Sequence, residues 1–431
     1  MDPLTIGLLT TGGLLVAVLL GCPIGLAMIL AGFIGFSAIV GVQPALAVLE
    51  SAAYETATTY SFTLVPLFIL MGNLISESGM ARDLFLASRR LSRGWNGGLA
   101  AAGVTASAAF STVSGSSLAT ATTMTRVAYP EMMAQRYDKR LAAGSLAAGG
   151  TLGIMIPPSI ALLLYALITE QSVGEMFLAG ILPGLLAYGL YMLTILVMAR
   201  YWRGEPLVGA KEPQEPIGQA LKRFLPAMGL FGLVMGGLYG GFFTPTEAGG
   251  VGAFFALVYS LWKGLDFHGF IRALRMTVET TAIIFLILIG AKVFGFVLSV
   301  SQVSFSLVAF IRETGLEPWQ VLAIILLFYV VMGFFMESLA MILLTVPIFF
   351  PVIMAAGFDP VWFGIIAVVT VELGLITPPV GMNLFMVKSA ARDLDLKHIM
   401  IGVLPFCVAD VIRLAILIAF PAIVLLLPGR L

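Results

Sequence analysis

Two short segments of this chain interrupt apolar stretches with paired prolines, and the two segments read alike. The first is Leu152-Gly153-Ile154-Met155-Ile156-Pro157-Pro158, and the second is Leu373-Gly374-Leu375-Ile376-Thr377-Pro378-Pro379. Proline cannot donate a backbone hydrogen bond, so each pair frees carbonyl oxygens just upstream in a helix. Freed carbonyls and hydroxyls can hold Na⁺, and the amino end of the following half-helix favours an anion. Each break can therefore bind a cation and attract a carboxylate.

A polar segment precedes each break at the same distance. The two segments are Ser114-Gly115-Ser116-Ser117 and Phe335-Met336-Glu337-Ser338, and each suits the tip of a helical hairpin. Helix-breaking sites in corresponding places of two halves are typical of a transporter's binding site. The expected Na⁺ ligands are Ser114, Gly115, Ser116, Gly153, Pro157, Glu337, Ser338, Glu372, Gly374, Thr377 and Pro378. The expected substrate-binding residues are Ser116, Ser117, Arg126, Ser159, Gly381 and Asn383.

Charged side chains within the apolar stretches are a further sign of function, because they are costly inside a membrane. Glu337 takes the place of Ser116 at the second tip, and Glu372 lies just before the second pair of prolines. Each glutamate can ligate a cation, carry a proton, or pair with Lys292 or Arg126. Arg126 is also a candidate to bind a substrate carboxylate; the alternative is that its side chain extends to the inner interface.

Three other charged residues have structural explanations. Asp410 and Arg413 are spaced i,i+3 and are expected to pair with each other. Glu247 follows Thr244 at the start of a helix, where capping and the helix dipole favour a carboxylate.

The composition is that of an integral membrane protein. Of the 431 residues, 60% are apolar and 11% are charged, against about 45–50% and about 25% in soluble domains. The net charge is zero, which argues against a nucleic-acid partner because no basic stripe can neutralise phosphates. The two cysteines and two histidines form no metal-binding or catalytic pattern, so no enzyme is expected. The expected cofactor is Na⁺ as coupling ion, and the lipid bilayer is the expected environment.

The apolar stretches predict five crossings in each half. The expected spans are 4–21, 23–41, 60–77, 141–169 and 176–199, then 222–241, 246–263, 277–310, 361–388 and 399–427, where 141–169 and 361–388 contain the proline pairs. The segments 97–133 and 319–356 are predicted to be re-entrant hairpins. With both termini outside the cytoplasm, most of the 23 basic residues fall on the inner side, as the positive-inside rule requires. The odd number of crossings predicts an all-α polytopic fold of two inverted repeats, 1–200 and 222–431, joined by a cytoplasmic linker, 201–221.

Six motifs spread over the chain resemble those of one transporter family. The motifs are PLFILMG (66–72), SGSS (114–117), GTLGIMIPPS (150–159), TPTEA (244–248), PIFFP (347–351) and TPPVG (377–381). Together they resemble the large membrane subunit of tripartite ATP-independent periplasmic (TRAP) transporters over essentially the whole chain. Paired-proline loops also occur in related divalent-anion/Na⁺ symporters, so the alternative function is a stand-alone symporter that needs no binding protein.

The resemblance implies an importer of three components in a bacterial inner membrane. In that membrane the outer side, where the charge bias places both termini of this chain, is the periplasm. A periplasmic binding protein delivers the substrate, a separate small four-helix membrane subunit braces this chain, and this chain translocates. Family substrates are mostly carboxylates, among them C4-dicarboxylates, sugar acids and keto acids. The resemblance also implies that a Na⁺ gradient drives an elevator motion, in which the hairpins and broken helices move as a block against the remaining helices.

Overall fold

Helices make up all the regular secondary structure in the residues that the computed structural model describes, which are 2–202, 216–313 and 315–429. The all-α fold class predicted from the sequence is therefore confirmed. The predicted linker 201–221 falls mostly on residues 203–215, and the predicted position of the C-terminus falls on residues 430–431; both lie outside the described residues.

The first half contains a helical hairpin followed by a broken helix. Its helices are α1 (Pro3–Leu19), α2 (Ile24–Val40), α3 (Val42–Thr58), α4 (Leu64–Glu77), α5 (Met80–Leu91), α6 (Gly98–Ser114), α7 (Ser117–Ala134), α8 (Lys139–Met155), α9 (Ile160–Ile168) and α10 (Val173–Tyr201). A short 3-10 turn (Tyr60–Thr63) precedes α4. Helices α6 and α7 form the hairpin, and α8 and α9 are the two parts of the broken helix.

The second half contains the same two features in the same order. Its helices are α11 (Ile217–Tyr239), α12 (Pro245–Trp262), α13 (Phe267–Val300), α14 (Val303–Glu313), α15 (Pro318–Gly333), α16 (Ser338–Ala355), α17 (Pro360–Ile376), α18 (Met382–Ala390), α19 (Leu396–Ala419) and α20 (Ala422–Leu425). Helices α15 and α16 form the second hairpin, and α17 and α18 form the second broken helix. The Thr244–Glu247 capping box that begins α12 agrees with the capping role predicted for Glu247.

Seven stretches of helix in the described residues are long and apolar enough to cross a membrane. They are Tyr60–Glu77, Lys139–Ile168, Val173–Tyr201, Ile217–Tyr239, Phe267–Val300, Ser338–Ala355 and Leu396–Ala419. Shorter apolar helices, α1, α2, α6, α15 and α17, accompany them. The chain is thus a multi-pass membrane protein, while the inverted orientation of the repeats, the re-entry of the hairpins and the side of each terminus stay predictions.

Four helices pack side by side in the order α2, α13, α4 and α12, each against the next, and are called the frame below. A glycine lets α2 and α13 approach closely, since a Cβ on Gly32 would lie 2.9 Å from backbone atoms of α13. Asn73 Nδ2 of α4 donates to Thr277 Oγ1 of α13 at 3.0 Å. Ser260 Oγ of α12 donates to the Leu74 carbonyl of α4 at 2.9 Å. Backbone contact and hydrogen bonds therefore hold the frame together.

Ion pairs connect the amphipathic helix α5 to its neighbours. Asp83 pairs with Arg223 of α11 at 3.2 Å and with Lys263, at the end of α12, at 2.5 Å. Arg89 pairs with Glu131 of α7. All these side chains are partly exposed, so each pair contributes about 1 kcal/mol or less.

Two glycines allow α8 of the first half and α19 of the second half to touch through their backbones. A Cβ on Gly144 would collide with the Gly402 carbonyl, and a Cβ on Gly402 would collide with the Arg140 carbonyl. Small residues at helix crossings permit this close approach in membrane proteins. Because the opposing atoms belong to backbone, they cannot rotate away as a side chain would, and both positions require glycine.

We expect Gly402→Ala to separate α8 from α19 and to lower the melting temperature of the detergent-solubilised protein. Overpacking of this kind costs about 1–3 kcal/mol, whereas Gly→Ala at an open helical position favours the helix by about 1 kcal/mol. The matched control is Gly229→Ala in α11, since nothing lies within 4 Å of a Cβ at Gly229. Equal melting temperatures for the two variants would contradict the requirement for glycine at residue 402.

Candidate functional site

The first break lies between α8 and α9, where Ser159 satisfies backbone groups on both sides of the interruption. Helix α8 ends at Met155 and α9 begins at Ile160, just after the proline pair, and the Pro157-Pro158 peptide bond is cis. The Ser159 hydroxyl accepts from the Leu162 amide at 3.3 Å and donates to the Ile154 carbonyl. Ser159 is thus the N-cap of α9, and the half-helix starts where the sequence predicts.

The tip of the first hairpin rests against this break. Gly115 ends α6 with φ +62°, a left-handed conformation that favours glycine. Its carbonyl accepts from the Ile160 amide at 3.4 Å. A Cβ at residue 115 would lie 2.9 Å from the Pro158 carbonyl oxygen. The chain therefore needs glycine here, both for the turn and for the close approach.

Oxygen atoms from the hairpin tip converge on Gly153, the last glycine of α8 before the proline pair. A Cβ on Gly153 would lie 2.5 Å from the Ser116 carbonyl oxygen and 2.8 Å from Thr120 Oγ1. Ser114 Oγ lies 2.8 Å from Thr120 Oγ1. The structure thus brings together Ser114, Ser116 and Gly153, as expected. It adds Thr120, which is not among the residues expected from the sequence. Its position one helical turn after Ser116 is the pattern that could have predicted it.

At the second break, between α17 and α18, three carbonyl oxygens of the last turn of α17 have different neighbours. The Thr377 hydroxyl donates to the Leu373 carbonyl at 2.5 Å, and the Cys407 thiol lies 3.5 Å from the Ile376 carbonyl oxygen. Gly381 precedes α18 with φ +54°, and a Cβ there would lie 2.8 Å from the Leu375 carbonyl oxygen. The Pro378-Pro379 bond is cis, as in the first break.

The second hairpin meets the second broken helix through glycines. A Cβ on Gly333, at the end of α15, would lie 2.9 Å from the Cα of Gly374 in α17. Glu337 is the N-cap residue of α16, but its side chain makes no capping hydrogen bond. Ser338 follows it and is buried. The structure therefore packs the second hairpin against the second broken helix near its end, with Glu337 and Ser338 at the turn of the hairpin.

Asn383 joins the second half-helix to the tip of the first hairpin. Its Nδ2 donates to Ser117 Oγ at 2.8 Å and to the Ala147 carbonyl at 3.3 Å, and Ser117 Oγ lies 3.1 Å from Asn383 Oδ1. Both side chains are buried. The two residues, expected to bind substrate, are therefore adjacent, and each hydrogen bonds to the other across the two halves.

The buried glutamate has a different partner from those predicted. Glu372 Oε2 accepts from Arg413 Nη2 at 2.6 Å, with neither side chain exposed. The predicted pairing of Glu372 with Lys292 or Arg126 is wrong, because α19 packs against α17 and presents Arg413 to it. Arg413 also lies 3.2 Å from Asp410, which confirms that predicted pair.

Of the other two cations, Lys292 is partly buried and Arg126 is exposed. Lys292 Nζ of α13 donates to Glu55 Oε2 of α3 at 3.2 Å. The suggested pairing of Lys292 with Glu337 is therefore also wrong. Arg126 is exposed on α7, and its backbone lies about 13 Å along the helix axis from Ser117 at 1.5 Å per residue. Its predicted contact with a substrate carboxylate stays a prediction.

Solved membrane transporters share the overall fold. The structure described as the Alcanivorax borkumensis YdaH transporter aligns with a TM-score of 0.62 and 16% identity, covering 89% of this chain and 90% of that chain. The Neisseria gonorrhoeae MtrF structure aligns with a TM-score of 0.57 and 12% identity, covering 96% of this chain and 95% of that chain. At these sequence identities the two structures show a shared fold and nothing about function.

Sequence comparison identifies the family. The chain is 37% identical over 380 residues to the C4-dicarboxylate TRAP transporter large permease protein DctM of Pseudomonas aeruginosa, covering 87% of this chain and 88% of that protein. It is 34% identical over 378 residues to the sialic acid TRAP transporter large permease protein SiaM of Vibrio cholerae, covering 85% and 86%. The family model "Tripartite ATP-independent periplasmic transporter, DctM component" matches residues 11–423. The chain therefore belongs to the tripartite ATP-independent periplasmic transporters, in the family of their large membrane permease subunits.

Proposed function

We propose that this chain is the translocating subunit of a Na⁺-coupled importer of carboxylates that receives its substrate from a periplasmic binding protein. The observation that supports this function best is the convergence of backbone and hydroxyl oxygens on both proline breaks. Oxygen atoms are the ligands that Na⁺ takes at unwound membrane helices. The relatives are transporter permeases by name, which supports a transport function for this chain.

The first proposed Na⁺ site lies at Gly153, with the Ser116 carbonyl, Ser114 Oγ and Thr120 Oγ1 close by. A hard cation takes oxygen ligands, and these three polar atoms beside Gly153 are oxygens. The backbone at Gly115 and Pro157 completes the set of candidates. A cation here would bind the hairpin tip to the broken helix and so favour one closed arrangement of the two.

The second proposed Na⁺ site lies between Thr377 and Gly381. The Leu373 carbonyl accepts from Thr377, the Leu375 carbonyl lies beside Gly381, and the Ile376 carbonyl lies beside Cys407. The remaining candidate ligands are Gly374, Pro378, Glu337, Ser338 and Glu372, of which Glu372 is the weakest, since Arg413 already engages it. At both proposed sites, a side-chain hydroxyl and backbone carbonyls therefore lie close together at the end of a helix.

A substrate anion would bind between the two breaks, near the amino ends of α9 and α18. Ser159 and Gly381 stand at these ends, where the helix dipole favours negative charge. Ser116 is the candidate hydroxyl for a direct hydrogen bond, because it is only partly buried. Ser117 and Asn383, which bond to each other, would position the tip of the first hairpin beside the substrate.

The substrate class follows from the relatives. Their names specify C4-dicarboxylates, sialic acid and 2,3-diketo-L-gulonate, all of which are carboxylates, and one relative's name specifies isethionate, a sulfonate. The shared chemistry is a small organic anion, and a carboxylate is the form most of them share.

A small membrane subunit would brace the frame, while the block formed by α6–α9 and α15–α18 moves across the membrane.

Uptake into proteoliposomes tests this function. With this chain and its small membrane subunit reconstituted, we expect radiolabelled succinate or sialic acid, whichever the cognate binding protein binds, to accumulate under an inward Na⁺ gradient. Omitting the binding protein or replacing Na⁺ with K⁺ should abolish uptake. Uptake without the binding protein would indicate a stand-alone symporter, and equal uptake in K⁺ would exclude Na⁺ coupling.

At the second break, Thr377→Val should raise the Na⁺ concentration for half-maximal uptake about tenfold, as expected if one ligand worth about 1.4 kcal/mol is lost. The matched control is Thr370→Val, because Thr370 lies in α17, which ends just before Thr377, and its hydroxyl also donates to the carbonyl four residues earlier, at 2.7 Å. The same Na⁺ dependence in both variants would exclude Thr377 as a ligand.

At the first break, Thr120→Val should likewise raise the half-maximal Na⁺ concentration about tenfold through loss of one ligand. Thr125→Val is the control, since Thr125 is equally buried in α7 but lies more than one turn further from the tip. If the two variants respond alike to Na⁺, the cluster around Gly153 does not bind the ion.

A further inference from the structure

A charged cluster lies fully buried beside the second break and is not explained by ion or substrate binding. Arg413 Nη2 of α19 is 2.6 Å from Glu372 Oε2 of α17 and 3.2 Å from Asp410 Oδ1 of its own helix. None of the three side chains is exposed. Removing one partner from such a pair leaves a charge uncompensated and is strongly unfavourable. The cluster therefore fixes the register of α17 against α19.

Two hydroxyls extend this cluster into the first half of the chain. Tyr191 Oη of α10 donates to the Asp410 carboxylate, 2.8 Å from Oδ2 and 2.9 Å from Oδ1. Thr151 Oγ1 of α8 hydrogen bonds with Tyr191 Oη at 2.9 Å. Both residues are fully buried. The five residues Thr151, Tyr191, Glu372, Asp410 and Arg413 are called the buried ion network below.

The two ends of the network occupy matching places in the two repeats. Thr151 and Glu372 each come directly before the Leu-Gly pair of the repeated motif. Each lies about one helical turn before its helix ends, at Met155 in α8 and at Ile376 in α17. A rotation or shift of either helix end would therefore strain the same set of buried contacts.

We propose that the buried ion network couples the two breaks, so that a change at one is transmitted to the other. The inference rests on the proposed function, in which both breaks bind Na⁺, and it makes Na⁺ binding at the two breaks cooperative. In this role Glu372 orients α17 through Arg413. Tyr191 is a positioning residue, because it acts through Asp410 and Thr151.

The test is a double-variant cycle read by hydrogen–deuterium exchange, on the full chain with its small membrane subunit in lipid nanodiscs. Thr377→Val perturbs the second break, and the peptide covering residues 150–160 reports on the first. We expect Thr377→Val to raise exchange in that peptide about fivefold, equivalent to a coupling of about 1 kcal/mol. In a Tyr191→Phe background the same substitution should produce no further rise.

Tyr329→Phe is the matched control background. Tyr329 is also fully buried, and its hydroxyl accepts from Thr345 Oγ1 at 2.7 Å within the second hairpin. Tyr191→Phe keeps the ring that packs against Phe406, so both variants lose a buried hydroxyl and keep an aromatic ring. The fivefold response should persist in Tyr329→Phe. The inference is overturned if the response also persists in Tyr191→Phe, or if it is absent from the wild-type background.

A Na⁺ titration of the same samples separates this inference from the proposed function. In the wild type, Na⁺ should protect residues 150–160 and 371–384 with a Hill coefficient above 1, because coupled sites fill together, and in Tyr191→Phe the Hill coefficient should fall to about 1. A Hill coefficient that stays above 1 in Tyr191→Phe would overturn the inference. If Na⁺ protects neither peptide while the variant cycle behaves as expected, the proposed Na⁺ sites fail and the coupling stands.

Discussion

The rest of this structure depends on one constraint: a backbone group in an apolar interior must find its partner within the protein. Each proline pair ends a helix inside a membrane-length stretch and leaves the last carbonyls without their usual donors. Ser159 and Thr377 supply hydroxyl donors to these carbonyls, one at each break. The Gly115 carbonyl accepts from the Ile160 amide, at the start of the new half-helix. The first hairpin tip therefore has to lie against the first break, since it completes the hydrogen bonding there.

Two backbone segments can approach closely enough to satisfy each other's polar groups only where no side chain lies between them. Gly153 faces the Ser116 carbonyl, and Gly333 faces Gly374, so each hairpin contacts its broken helix at a glycine of that helix. At the first break the missing side chain lets the Ser116 carbonyl oxygen and Thr120 Oγ1 approach Gly153. A small cation needs several such oxygens at once, and the packing requirement brings them together. The glycines that allow the hairpins to pack thus also shape the proposed Na⁺ sites.

Local features of the fold follow from the sequence, whereas contacts between distant segments do not. Proline and glycine act within a turn or two, so the breaks, the hairpin tips and the starts of α9 and α18 lie where the motifs predict. The i,i+3 spacing likewise predicts the Asp410–Arg413 pair. The contact of Arg413 with Glu372 depends on how α19 packs against α17, and no spacing encodes that. For the same reason the sequence does not reveal the partner of Lys292: pairing with Glu337 or Glu372 is one of the alternatives that it leaves open, and the structure places Lys292 beside Glu55.

The charged contacts of this protein fall into two kinds, and the difference bears on which parts can move. The Arg89–Glu131 pair joins α5 to α7 and is partly exposed, so water can replace either partner at a cost of about 1 kcal/mol or less. Separating Arg413 from Glu372 would leave a buried charge unpaired, at about 3–5 kcal/mol. The proposed elevator motion would repeat in every transport cycle, so it can break contacts of the first kind but must preserve those of the second. For that proposed motion, the boundary between moving and static helices therefore fits between α5 and α7 better than between α17 and α19.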